Sequence, residues 1–144
     1  MQSILIADDS EVFTEALGAT LRREGFQVFL ARDGTEALNV LRYVQVDLVL
    51  LDLSMEPMGG IDFLRAARCD PRYTSTPAIV VTGDENPQVS EKVWSMGIKD
   101  LLRKGSFSVA QLVNRMRQVL AEQRERLAAC TSGPQTIEAS IYLG

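Results

Sequence analysis

The chain contains no histidine and only two cysteines among its 144 residues. Without histidine, Ser-His-Asp catalysis, phosphohistidine chemistry within the chain and most zinc sites are excluded. Cys69 and Cys130 are far apart and form no C-x-x-C pair, so we expect reduced thiols in a cytoplasmic protein. No apolar run reaches the ~18 residues of a membrane span, and no basic segment precedes the first apolar residues, so neither a membrane span nor a signal peptide is expected.

Positive charge is also scarce, with 15 lysines and arginines against 19 aspartates and glutamates. The net charge of −4 argues against direct nucleic-acid binding by this chain, because nucleic-acid binders present basic faces. The length and the 46% of hydrophobic residues suit one domain with one core.

The sequence does contain a regular alternation of short apolar runs and helical periodicity, repeated five times. The predicted strands are Ile4 to Ala7, Gln27 to Ala31, Asp47 to Leu53, Ala78 to Thr82 and Lys99 to Leu102; the predicted helices are Glu11 to Glu24, a segment capped by Asp33 or Thr35, Gly60 to Arg68, Pro87 to Met96, and a long helix from the capping box Ser108-x-x-Gln111 to about Ala129. Strands that are apolar on both faces indicate a parallel sheet covered by helices on both sides. We therefore predict an α/β fold, a flavodoxin-like (βα)5 doubly wound sheet of five parallel strands in the order 2-1-3-4-5.

The segment Thr131-Ser132-Gly133-Pro134 is predicted to end the last helix. We accordingly expect one domain over residues 1–130, followed by a tail or the start of a linker over residues 131–144. From Ile137 to Leu143 apolar and polar residues alternate, a pattern that favours a strand. A docked strand, a disordered end and the start of another domain all remain open for this tail.

Polar residues interrupt the apolar pattern at the ends of the predicted strands. Asp8 and Asp9 end the first strand, Asp52 lies near the end of the third, Thr82 ends the fourth and Lys104 follows the fifth. In a parallel sheet these positions share the carboxyl edge, and in this strand order the first and third strands are neighbours where a crevice opens. Three converging carboxylates repel one another and favour a hard dication such as Mg²⁺. Thr82 and Lys104 suit phosphoryl oxygens.

Taken together, these segments resemble the receiver domain of response regulators in bacterial two-component signalling systems, over about residues 2 to 125. The matching segments are Ile4-Leu5-Ile6-Ala7-Asp8-Asp9-Ser10, Asp47-Leu48-Val49-Leu50-Leu51-Asp52-Leu53, Met55-Glu56-Pro57-Met58-Gly59-Gly60, Val80-Val81-Thr82-Gly83 and Lys104.

The resemblance implies a phosphorylation-dependent signalling switch, not an enzyme with its own substrate. Asp52 would accept a phosphoryl group from a phosphohistidine on a sensor histidine kinase or phosphotransfer protein. The metal ligands would be Asp8, Asp9, Asp52 and the backbone carbonyl of Ser54, and Thr82 and Lys104 would contact the phosphoryl group. Self-catalysed transfer and autodephosphorylation are expected, with the rate shaped by the residues at Ser54 and Asp84. Phosphorylation would change partner or oligomer interactions, including a homodimer.

Three positions depart from the family pattern. Leu101 stands at the switch position, where the family usually has Tyr or Phe, and Gly105 follows the lysine in place of the usual proline. The proline of the acceptor loop comes one place late, at Pro57. We expect a trans peptide between Lys104 and Gly105, because a cis bond to a non-proline residue costs ~2.5–4 kcal/mol.

Other functions fit the residues less well. A phosphatase of the haloacid dehalogenase type needs a second acid two residues after the nucleophile, and that position is Ser54. A dinucleotide-binding turn and a P-loop are both absent from the sequence. The alternative that remains is a receiver-like scaffold that signals by protein binding without phosphorylation. On the fourth predicted helix, Trp94 points roughly 100–160° away from the apolar face and is a candidate partner surface.

Overall fold

The computed structural model describes the backbone of residues 1–84 and 86–142, and the side chains of these residues up to Ala128. Strands and helices alternate along it. The elements are β1 (Ser3–Ala7), α1 (Glu11–Arg23), β2 (Gln27–Ala31), α2 (Gly34–Tyr43), β3 (Leu48–Leu51), α3 (Gly60–Arg68), β4 (Ala78–Thr82), α4 (Pro87–Ser95), β5 (Asp100–Arg103) and α5 (Val109–Tyr142).

The five strands form one parallel sheet in the order β2-β1-β3-β4-β5, which confirms the predicted fold class and strand order. Every residue of β1, β3 and β4 is buried. These three strands are central, so both of their faces are covered, and this is why their sequences lack polar alternation.

Two apolar layers cover the sheet, one on each face. On one face Leu5, Leu51 and Val80 pack in a cluster with residues of α2, α3 and α4. On the other face Ile4 and Leu50 pack in a cluster with residues of α1 and α5. Alternate residues of one strand thus enter opposite layers, as the pleat of a strand requires.

Polar side chains begin four of the helices. Ser10 accepts a hydrogen bond from the backbone N–H of Phe13, and Asp33 and Asn86 cap α2 and α4 in the same way. At the start of α5, Ser108 Oγ accepts from the N–H of Gln111 at 3.1 Å, while the Gln111 side chain accepts from the N–H of Ser108 at 2.7 Å. This reciprocal pair is the predicted capping box.

The predicted end of the last helix is wrong, because α5 continues through Pro134 to Tyr142. A proline removes one intrahelical hydrogen bond and kinks a helix, but the turns on either side can stay helical. The strand predicted from Ile137 onward is wrong for the same stretch, up to Tyr142. Leu143 and Gly144 lie outside the described residues.

The loop after β5 has the predicted trans peptide at Lys104–Gly105, since the one cis bond in the described chain is Glu56–Pro57. Gly105 adopts a φ of +86°. Proline cannot reach this angle, because its ring holds φ near −65°, so the loop takes a course that the family's usual proline could not follow. Among the described helices, none is long and apolar enough to cross a membrane.

Candidate phosphoacceptor site

Three carboxylates meet where β1 and β3 end. Asp8 and Asp9 follow β1, Asp52 follows β3, and the two strands are paired so that Ala7 lies opposite Leu51. One oxygen from each of the three carboxylates lies within 4.8 Å of the other two. The convergence predicted from the strand order is therefore present. Asp8 and Asp52 are buried, whereas Asp9 is exposed at the mouth of the site.

Lys104 is the cation that faces this acidic group. Its Nζ lies 2.6 Å from Asp8 Oδ2 and 3.4 Å from Asp52 Oδ2. The Nζ of Lys104 also lies 4.6 Å from the centre of the Phe13 ring. The lysine is thus held between two buried carboxylates and an aromatic face, which favours its charged form.

The charges at this site shift the pKa values of two groups. Burial raises the pKa of the Asp8 carboxyl, and the contact with Lys104 and the hydrogen bond from the N–H of Ser10 only partly oppose this. Burial alone would lower the pKa of Lys104, but its contacts with Asp8 and Asp52 outweigh burial and raise it. Asp8 is therefore a carboxylate whose charge is only partly compensated by the protein.

The β3–α3 loop is held close to the end of β3. The N–H of Ser54 donates to Asp52 Oδ1 at 3.3 Å, and the N–H of Gly60 donates to the carbonyl of Leu53 at 3.2 Å. A Cβ placed on Gly60 would lie 2.4 Å from the carbonyl oxygen of Asp52. Only glycine lets α3 begin this close to the acceptor residue.

Thr82 and Lys104 are brought to the same edge by the neighbouring strands. Thr82 ends β4, is 1% exposed and accepts a hydrogen bond from the N–H of Asp84 at its Oγ1, at 3.2 Å. The N–H of Lys104 donates to the carbonyl of Thr82 at 2.9 Å. Backbone pairing of β4 and β5 therefore fixes Lys104 relative to Thr82.

The residues at this edge fit a Mg²⁺ ion. Mg²⁺ takes oxygen ligands, with one or two carboxylates and the rest from water or phosphate oxygens. Asp8 Oδ2 is buried, and its close cation among the described residues is Lys104 Nζ at 2.6 Å, which also lies 3.4 Å from Asp52 Oδ2. Three carboxylates that share one ammonium leave an excess of negative charge, which a dication would offset.

Two predicted residues lie away from the acidic site. Leu101 is half-buried in β5 and packs against the apolar cluster that contains Val80 and Val93. Trp94 is 48% exposed on α4, while its neighbour Val93 is fully buried. The helical pattern therefore predicted the orientation of Trp94 correctly. The role of Trp94 as a partner surface stays a prediction.

Sequence reasoning missed two contributors to the site. Phe13 was predicted only as part of the first helix, yet its ring faces the Lys104 ammonium. The signal was its place three residues after the Ser10 cap, in the turn of α1 nearest the acidic pair. Gly60 appeared as the start of a helix and as the last residue of a segment that matches the family. That it approaches Asp52 closely was not predicted, because this contact arises from three-dimensional packing.

Comparisons with known proteins agree with this geometry. The model of the response regulator receiver domain family matches residues 4–117. The chain is 34% identical over 131 residues to the DNA-binding response regulator MtrA of Mycolicibacterium paratuberculosis, covering 91% of this chain and 56% of that protein. It is 37% identical over 145 residues to the transcriptional regulatory protein CpxR of Escherichia coli, covering 99% of this chain and 60% of that protein. The chain thus spans little more than half the length of these curated relatives.

Solved structures show the same likeness. The chemotaxis response regulator CheY4 of Vibrio cholerae superposes with a TM-score of 0.75 and 28% identity, covering 83% of this chain and 98% of that one. A response regulator receiver protein from Pseudomonas putida gives a TM-score of 0.77 and 30% identity, covering 81% of this chain and 96% of the other. Together with the acidic group at the ends of β1 and β3, these matches show that the chain belongs to the response regulator receiver domain family of two-component signalling.

Proposed function

We propose that Asp52 accepts a phosphoryl group and that the resulting acyl phosphate switches the protein between signalling states. The observation that carries this proposal is the pair of buried acids Asp8 and Asp52 beside the partly buried Lys104, whose Nζ lies 2.6 Å and 3.4 Å from the two carboxylates. This group combines a carboxylate that can attack phosphorus, oxygen ligands for a dication and a cation for the phosphoryl oxygens.

The transfer step follows from the positions of the residues. A carboxylate oxygen of Asp52 attacks phosphorus in line, the bond from phosphorus to the donor's imidazole nitrogen breaks, and the imidazole leaves with the electron pair. Lys104 neutralises charge on the phosphoryl oxygens, and Thr82 Oγ donates to one of them. Mg²⁺, held by Asp8, Asp9, Asp52 and the Ser54 carbonyl, supplies further positive charge when it is bound.

The donor that we propose is a phosphohistidine on a sensor histidine kinase or phosphotransfer protein. These 144 residues contain no histidine, so the phosphohistidine must come from outside them. Autodephosphorylation by water would reset the switch, at a rate shaped by the residues at Ser54 and Asp84. We place this chemistry in the cytoplasm. The relatives named as DNA-binding or transcriptional proteins are longer than this chain, and we assign no nucleic-acid binding to residues 1–130.

The output of the switch is proposed to be a change in protein association, including a homodimer. Leu101 has neither a ring nor a hydroxyl, so it cannot swing between two hydrogen-bonded states as an aromatic residue could. We propose that any coupling runs through the loop after Thr82 and that Trp94 lies in the partner surface. Trp94→Ala is expected to weaken self-association or partner binding in sedimentation experiments while phosphorylation continues; loss of thermal stability with unchanged association would contradict this.

The second candidate is a scaffold that signals without phosphorylation. Leu101 and the positive φ of Gly105 favour this scaffold function, because both depart from the family pattern in β5 or in the loop that follows it. Intact-mass measurement after incubation with acetyl phosphate and Mg²⁺ decides between the two functions. We expect one phosphoryl group on the wild type and none on Asp52→Asn or in EDTA. Glu15→Gln is the matched control, because it removes one negative charge at an exposed position, as Asp52→Asn does at the site. It should be labelled to the same extent as the wild type. An unlabelled wild type that still binds its partner would favour the scaffold.

A further inference from the structure

A cavity of about 730 Å³ opens at the amino edge of the sheet. Its walls come from the end of α3, the loop before β4, the end of α4, the loop before β5 and Arg126 of α5. Loops that precede parallel strands lie at the edge opposite those that follow them, so this cavity faces away from Asp52.

The lining of this amino-edge cavity is basic. None of the described lining residues is acidic. Five of them are cations, namely Arg65, Arg68, Lys92, Lys99 and Arg126. Arg65 forms an exposed ion pair with Asp62 at 3.0 Å. Lys92, Lys99 and Arg126 form no ion pair with any residue that the structure describes. An uncompensated group of cations in a chain of net charge −4 attracts anions to this place.

Arg68 forms a rigid part of the wall. Its Nε donates to the carbonyl of Met96 at 3.2 Å, and its Nη1 donates to the carbonyls of Tyr73 at 3.1 Å and Thr76 at 2.8 Å. Its Nη2 has no acceptor among the described residues. A guanidinium fixed on one side by backbone carbonyls and free on the other is oriented in advance to donate to a phosphate oxygen.

The volume of the cavity suits more than a single phosphate. Small-molecule sites usually occupy ~300–1,000 Å³, and combine apolar surface with a few polar groups. Met96 and the edge of the otherwise buried Pro77 supply apolar surface here, and Thr74, Ser75 and Thr76 supply polar groups. We propose that the amino-edge cavity binds a nucleotide, with its phosphates beside Lys92, Lys99 and Arg126 and its base and sugar against Pro77 and Met96.

The exposed thiol of Cys69 lines this cavity and gives a direct readout of occupancy. The chain has two cysteines, so a Cys130→Ser protein carries Cys69 as its sole thiol. Mass spectrometry measures the rate at which neutral iodoacetamide alkylates Cys69. The rate is compared in the presence of ATP, GTP, inorganic pyrophosphate or a short single-stranded oligonucleotide. EDTA is present, so that metal-bound nucleotide cannot gather at the acidic site. We expect ATP or GTP to slow alkylation and pyrophosphate to protect less well.

Charge-reversal variants locate the binding. Lys92→Glu combined with Arg126→Glu is expected to weaken nucleotide binding by at least about tenfold in calorimetry. Both residues are exposed, so the fold should be unaffected. Arg23→Glu combined with Arg124→Glu is the matched control, because it reverses the same number of charges at exposed positions that do not line the cavity. Asp52→Asn should bind nucleotide as the wild type does, which separates this proposal from phosphorylation.

Several results would overturn the proposal. Unprotected Cys69 at millimolar ATP and GTP would rule out a nucleotide site. Equal protection by pyrophosphate would show a phosphate site that ignores base and sugar, and stronger protection by the oligonucleotide would show a nucleic-acid surface. A loss of affinity in the double control variant as large as in Lys92→Glu combined with Arg126→Glu would show that only overall charge matters.

Discussion

At the scale of single residues, the site depends on how one lysine is shared between two buried acids. Lys104 lies closer to Asp8 than to Asp52, at 2.6 Å against 3.4 Å. The Asp52 carboxylate is therefore less firmly paired than that of Asp8. Three carboxylates face one ammonium, so without a metal the group carries an excess of negative charge that the fold must tolerate.

Asp8→Asn is expected to stabilise the metal-free protein at neutral pH. The amide keeps the oxygen that accepts from the N–H of Ser10, but removes a buried charge. The gain should be of the order of 1 kcal/mol, the scale of one poorly compensated buried polar group. Urea denaturation in EDTA measures the free energy of unfolding. The control is Glu15→Gln, which also removes one negative charge but at an exposed position.

The pH dependence of that gain has a definite sign. Burial raises the pKa of Asp8 above the value of 3.8 that applies to the unfolded chain, so the folded state binds the proton more tightly. The tighter binding of this proton stabilises the folded state. The stabilisation is complete below pH 3.8 and is lost as the pH rises through the raised pKa. The advantage of Asp8→Asn over the wild type should therefore grow with pH across that range. An advantage that is constant with pH would contradict the assignment.

At the scale of elements, the closest backbone approach near the site is between α3 and the end of β3. A Cβ on Gly60 would lie 2.4 Å from Asp52 O and 2.9 Å from the Cα of Leu53, both in the backbone. The start of α3 and the backbone of Asp52 therefore cannot shift independently of each other.

Gly60→Ala is expected to destabilise the fold by about 1–3 kcal/mol, the usual cost of forcing an extra methyl into a packed site. It should also slow phosphorylation of Asp52, because the β3–α3 loop must shift to make room. Gly83→Ala is the matched control, since a Cβ there meets nothing within 4 Å and the backbone is not strained. Denaturation midpoints and labelling rates of the two variants test this, and equal effects would contradict the close approach.

The core contribution of α5 ends well before the helix does. Its buried residues in the described part are Leu112, Val113, Met116, Val119 and Leu120. We expect a chain ending at Ala128 to melt within about 2 °C of the full chain, a difference of about 0.5 kcal/mol or less. A chain ending at Gln118 loses two buried side chains worth roughly 1.5–3 kcal/mol each and should melt far below the full chain. A large drop for the chain ending at Ala128 would show that residues 129–144 belong to the domain.

At the scale of the whole molecule, the two edges of the sheet carry opposite charge. The carboxyl edge holds Asp8, Asp9 and Asp52, and the amino edge holds the basic cavity. The acidic edge could be predicted because its residues directly follow apolar strands, where a carboxylate is conspicuous. The basic cavity could not, because its cations come from α3, α4, α5 and a loop and converge only after folding.

The bounds of β2, β4 and α3 agree residue for residue with the predicted Gln27 to Ala31, Ala78 to Thr82 and Gly60 to Arg68. The central strand was predicted too long, because apolar and polar residues on both sides of Leu48–Leu51 were included in the predicted Asp47 to Leu53. The edge strand β5 begins one residue later than predicted and ends at Arg103, and none of its residues is fully buried. The end of α5 was missed because a Ser-Gly-Pro run lowers helix propensity without forbidding a helix.

Mg²⁺ should stabilise the whole domain by binding only the folded state. A ligand at one hundred times its dissociation constant adds ~2.7 kcal/mol to the free energy of unfolding. We expect the melting temperature of the wild type to rise with Mg²⁺ and to fall back when EDTA is added. Asp8→Asn should show a much smaller rise, while Glu15→Gln should respond as the wild type does. An equal rise in all three proteins would place the ion elsewhere.

The most direct test of the central claim is to identify the phosphorylated residue chemically. Borohydride reduces an aspartyl phosphate to homoserine, which peptide mass spectrometry can assign to one position. After incubation with acetyl phosphate and Mg²⁺, we predict homoserine at position 52 in the wild type, and none there when Mg²⁺ is withheld. Homoserine at position 8 or 9, or the same product without Mg²⁺, would contradict the account.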